Sequence, residues 1–218
     1  LTARAAPGNL RVIMIDAITL LAFLPAAIAL NLTPGPDMLF CLGQGLSGGP
    51  RAAIAADFGI ATGGMLHTLA SGLGLAALIA AWPAAFETIR WVGVAFLLWI
   101  VWRTLRAPLG RVTRPAVRPA RAFRDGLVVN LTNPKFALFI LAFLPQFVDP
   151  ARGSVLGQFL ILGSVLGIGG LIANGAVGVF AGGLGRALTA APRIELTLRA
   201  ITATLFFSLA ARLALERR

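Results

Sequence analysis

The chain has 218 residues, of which 58% are hydrophobic and 12% charged. Soluble domains average about 25% charged residues, which argues against a soluble protein, and no stretch between the apolar segments is long enough to form a separate soluble domain. The net charge of +11 is mostly arginine placed between apolar segments, a pattern of lipid headgroups and membrane topology and not of nucleic-acid binding.

In chain order, residues 1–13 carry Arg4, Pro7, Gly8 and Arg11 and read as an extension, with Met14 the expected start. The run from Ile18 to Leu32 has no small-x-small cleavage site after it, so it reads as a span and not as a signal peptide. Span 1 is expected at 14–32, continuing through the Pro34-Gly35-Pro36 break into a helical piece at 37–47. Cys41, the single cysteine, reads as a small apolar filler. Ser47-Gly48-Gly49-Pro50-Arg51 predicts a turn. Span 2 is expected at 52–81, ended by Trp82-Pro83, and span 3 at 87–105, with the interfacial residues Trp91, Trp99 and Trp102. A hydrophilic linker at 106–124 follows, kept from regular helix by Pro108, Pro115 and Pro119. Span 4 is expected at 125–148, the glycine-rich span 5 at 154–182 and span 6 at 194–215.

The linker divides the chain into a three-helix half at 14–105 and another at 125–218. Three spans per half force opposite orientations, the arrangement of an inverted repeat. Asn31-Leu32-Thr33 and Asn130-Leu131-Thr132 match, Pro36 and Pro134 align after a one-residue gap, and Asp37 falls opposite Lys135. The expected fold is therefore all-α: a polytopic membrane protein with six transmembrane helices, built as two inverted repeats, each with a broken first helix. Seven arginines lie between Arg103 and Arg124. They orient the linker toward the cytoplasm. The predicted inner loops then carry eleven arginines against seven outside, and Arg217-Arg218 argues mildly for a five-span variant.

The breaks carry the chemistry. Proline removes a backbone donor and clashes with the preceding turn, and in hydrocarbon the freed groups need protein or a water-lined cavity. Interrupted helices at matching places in two halves point to a transporter's site. A charge at a helix centre costs about 2.5–3.5 kcal/mol on insertion scales, so Asp37 and Lys135 are expected to face the interior. They either line a site, with Asp37 meeting a substrate ammonium or a coupling proton, or form a buried pair that pins the halves together. Pro34, Gly35, Pro36 and Pro134 expose backbone carbonyls or simply kink the chain. Asn31, Asn130 and Asn133 offer amides to a carboxylate or cap helix ends. Gly59, Gly63, His67 and Ser71 share one face of span 2, and Gly163, Gly167, Gly170, Asn174 and Gly178 one face of span 5. Small residues at this spacing mark close helix contacts. His67 is a second candidate for the coupling proton or a packing residue, and Asn174 reads as its counterpart. Asp57 reads as a carboxylate complementing the helix dipole near an interface. No enzyme motif and no cofactor or metal constellation is present in the sequence.

The stretch Asn31-Leu32-Thr33-Pro34-Gly35-Pro36-Asp37-Met38-Leu39 resembles the signature of LysE/RhtB-type amino acid exporters. Leu46-Ser47-Gly48-Gly49-Pro50-Arg51-Ala52, Gly59-Ile60-Ala61-Thr62-Gly63, Gly72-Leu73-Gly74-Leu75, Asn130-Leu131-Thr132-Asn133-Pro134-Lys135 and Phe143-Leu144-Pro145-Gln146-Phe147 continue the pattern in order, over about 14–216. The resemblance implies efflux of amino acids or close derivatives across the bacterial inner membrane by proton antiport. The implied partners are a small-molecule substrate, protons and lipids, with homo-oligomerisation left open. An inorganic-ion exporter and a non-transporting membrane scaffold remain as alternatives.

Overall fold

The computed structural model describes residues 14–81, 85–106, 118–181 and 192–215, and no strand occurs among them. The expected extension at 1–13, most of the arginine linker and the Arg217-Arg218 tail lie outside the described residues.

Helix α1 (Ala17–Leu32) starts at Asp16, whose carboxylate accepts from Thr19 N at 2.7 Å and so satisfies one open amide of the first turn. It stops at Thr33, extended because a proline follows. Helix α2 (Pro36–Ala81) begins on a proline that needs no amide partner there. It is interrupted at Gly49, whose φ of 73° and ψ of −176° belong to no helix and which only glycine adopts easily. In a continuous helix Asp37 and Asp57 would stand about 30 Å apart. They line one small cavity instead, and Phe40 and Cys41 share an apolar cluster with Ala52, Ala56 and Ile60. The chain therefore folds back at 49 as a helical hairpin, and the turn predicted at 47–51 is present.

Helices α3 (Ala85–Arg106), α4 (Pro119–Leu131) and α5 (Pro134–Ala142) follow, then 3-10 turns at Leu144–Phe147 and Pro150–Arg152, α6 (Val155–Val179) and α7 (Pro192–Leu215). One expectation needs correction. Residues 119–124, assigned to an irregular linker, are helical. Pro119 opens α4 at a position that proline favours, and Arg121 and Arg124 lie within 3.5 and 3.7 Å of Asp125.

Among the described residues α6 alone is long and apolar enough to cross a membrane by itself. The α1–α2 and α4–α5 pairs pass that test only together, each bent at its break, the second by 52°. Helix α2 packs on α6 and α4, α3 on α7 and α5, and α1 on α6 and α7. The glycine stripes set these distances. A Cβ on Gly59 would lie 2.8 Å from the Phe123 carbonyl carbon of α4, and one on Gly178 would lie 2.7 Å from the Cβ of Ala53. Phe23, Phe139, Phe143 and Phe159, fully buried, join α1, α5 and α6 in the main apolar core.

Candidate substrate site

Each broken helix supplies what the other lacks. The end of α1 leaves carbonyls without helical partners, and Lys135 Nζ donates to two of them, Leu30 O at 3.2 Å and Thr33 O at 3.0 Å. The ammonium lies so close to the break that a Cβ on Gly35 would be 3.0 Å from it. Conversely, Asp37 lies in the first turn of α2, where open amides favour an anion. Its Oδ2 accepts from Asn130 Nδ2 at 2.9 Å, 93 residues away at the end of α4. Asn133 caps α5, its Oδ1 accepting from Lys135 N at 3.0 Å. Asn31, at the end of α1, donates from Nδ2 to Leu166 O of α6 at 3.1 Å.

Between the breaks lies a cavity of about 30 Å³. Its polar lining comes from Asn31, Thr33, Asp37, Asp57, Asn130 and Asn174, and it has room for about two waters. Asp37 Oδ1, Asp57 Oδ1 and Asn130 Oδ1 are buried without a hydrogen-bond partner, as is Asn133 Nδ2. Such groups are costly to leave unpaired. A cavity with free acceptors, beside a helix break that carries a free donor, suits a small solute with both ammonium and carboxylate.

The structure brings Asn31, Asp37 and Asn130 to the cavity lining. Pro34, Gly35, Pro36, Asn133, Pro134 and Lys135 form the breaks and do not line it. His67 does not line it either. Its Nε2 is 3.3 Å from Asn130 O, and its ring faces a separate apolar crevice of about 440 Å³ bordered by Leu75, Val92 and Phe159. Asn174, the counterpart of His67 on the second glycine stripe, does reach the cavity. Asp57 also departs from expectation. It is 4% exposed and faces the cavity, because the hairpin at Gly49 lays Asp57 beside the start of α2. The spacing of Asp57, Ile60, Ala61 and Gly64, all on the lining, was the available signal.

A family model described as LysE type translocator matches residues 28–217. The chain belongs to the LysE family of translocators. This LysE-type translocator is 39% identical over 147 residues to an uncharacterized membrane protein of Vibrio cholerae, an overlap of 66% of this chain and 71% of the other. It is 34% identical over 145 residues to a homoserine/homoserine lactone efflux protein of Salmonella typhimurium, covering 65% and 70%. With a leucine efflux protein of Enterobacter it shares 30% over 148 residues, covering 66% and 70%. No solved structure matches it. Family and relatives make the translocator a membrane transport protein.

Proposed function

We propose that this translocator exports amino acids or close derivatives across the bacterial inner membrane in exchange for protons. The observation that carries the reading is the Asp37–Asn130 hydrogen bond, which joins the two helix breaks at a buried polar cavity. The substrate's ammonium takes the free oxygen of Asp37. Its carboxylate is met by the Asn133 amide and by the half-helix end at α5, with Lys135 beside it. The names of the homoserine and leucine efflux relatives support a small amino acid as cargo.

The protein works as two inverted three-helix halves with the arginine linker in the cytoplasm. The two halves use matching contacts, which supports this: Asn130 rests against Gly63 of α2, and Asn31 against Gly169 of α6. One half rocks against the other around the breaks. Protonation on the outer side resets the carrier.

The test is transport of labelled homoserine and leucine by purified protein in vesicles. Asp37→Asn removes a charged hydrogen bond worth about 1.5–3 kcal/mol, so transport at low substrate falls by about 10- to 150-fold while insertion is unchanged. Undiminished transport by the variant refutes the assignment of the site.

A further inference from the structure

Asp57 has no role in the reading above, yet it shares the cavity with Asp37. The two carboxylates reach it from opposite arms of the α2 hairpin, at 4% and 8% exposure, and Asn130, fully buried, adds a third oxygen. Asp37 Oδ1, Asp57 Oδ1 and Asn130 Oδ1 are all acceptors, and none has a donor. The space for Asp57 is specific. A Cβ on Gly175 of α6 would lie 2.9 Å from Asp57 Oδ2, so glycine there leaves room for the carboxylate.

Two carboxylates in one small buried space cannot both stay charged without a cation or a proton. The ionisable groups around Asp57 are few. Asp37 and Cys41 face it from the first arm of α2, and α6 carries no ionisable residue. Helix α5 brings Lys135, engaged with the α1 carbonyls. The charges of α4, Arg121, Arg124 and Asp125, lie at its exposed start.

We infer that Asp57 carries the coupling proton and that Asp37 takes the substrate ammonium, the two acting as alternative occupants of one cavity. This rests on the export reading above. An ammonium donates to Asp37 Oδ1 and Asn130 Oδ1, two of the three orphan oxygens, and leaves Asp57 to the proton. In its absence a proton on Asp57 makes that carboxyl a donor to a neighbouring acceptor. Either occupant adds one positive charge, so replacing one by the other leaves the charge of the cavity unchanged. Exchange follows from mutual exclusion: the proton enters from outside onto Asp57, the ammonium leaves, and the proton departs inward when the next ammonium arrives.

The experiment compares wild type, Asp57→Asn and Asp57→Glu in vesicles, with labelled homoserine and leucine as probes. It measures substrate–substrate exchange at fixed pH and transport driven by a pH gradient. The expected result is that the ratio of gradient-driven transport to exchange falls at least tenfold in Asp57→Asn and is restored in Asp57→Glu. An unchanged ratio in Asp57→Asn overturns the assignment of the proton while leaving export intact. Loss of both activities together, in a variant that elutes as a folded monodisperse protein, overturns it too, since Asp57 then serves binding or packing. Wild-type vesicles that move neither probe by either route overturn the export reading, and this inference with it.

Discussion

Replacing Gly59 by alanine tests whether the contact between α2 and α4 sets the geometry of the site. The added Cβ would lie 2.8 Å from the Phe123 carbonyl carbon and 2.9 Å from Leu127 N, both backbone atoms that no rotamer change can move aside. Ordinary contact begins at 3.4 Å and the Phe123 carbonyl oxygen lies nearer still, so the helices must part by more than about 0.6 Å. The same displacement would stretch the 2.9 Å Asn130–Asp37 bond to the edge of hydrogen-bonding range. Overpacking costs about 1–3 kcal/mol, and an orphaned buried polar group about 1–3 kcal/mol more. Alanine returns about 1 kcal/mol through helix propensity. The net effect is a loss of about 1–5 kcal/mol. Gly74→Ala is the control, since nothing lies within 4 Å of its Cβ position. It should be neutral or stabilising by up to about 1 kcal/mol. Thermal unfolding in detergent, followed by size-exclusion fluorescence, should place Gly59→Ala at least about 2 °C below wild type and Gly74→Ala at or above it. A Gly59→Ala protein that melts at or above the wild-type temperature refutes the argument.

Other outcomes follow from local contacts. Gln158, fully buried, accepts from Asp149 N at 2.9 Å and donates to Asp149 O at 2.8 Å; Gln158→Leu should lower stability by about 1–3 kcal/mol, read by the same melting assay. Thr19 and Arg152 hold the Asp16 carboxyl well below the usual carboxylate range. Its contribution is therefore present above the unfolded value of about 3.9 and is lost as pH falls toward the lower folded value. Between pH 5 and 3 the melting temperature of wild type should fall more steeply than that of Asp16→Asn, and parallel curves would contradict this. Lys135→Met leaves Leu30 O and Thr33 O without their ammonium donor; export of labelled leucine should drop at least about tenfold, and a variant as active as wild type would remove Lys135 from the site.

Much of this arrangement was legible in the sequence because its causes are local. Pro34-Gly35-Pro36 and Asn133-Pro134 deny the backbone its helical hydrogen bonds, and the breaks lie there. Ser47-Gly48-Gly49-Pro50 combines a residue free to take positive φ with a helix-starting proline, and the hairpin turns there. The start of α4 is not legible in the sequence, because a proline reads as a breaker although it is favourable at a first helical position. Asp57 was misread for a different reason. Its burial depends on the hairpin and on Gly175 of α6, contacts far away along the chain. His67 lies on the face of α2 that packs against α4 and α5, whereas the cavity is lined from the neighbouring face of Asp57, Ile60, Ala61 and Gly64. Gln158 carried no signal at all, since its partner is the backbone of a turn.

The chamber between the breaks holds about two waters, while even glycine, the smallest amino acid, has five heavy atoms. The conformation described here is thus too tight between the breaks to hold an amino acid. To admit an amino acid there, the molecule would have to part the seams where glycines let backbones touch.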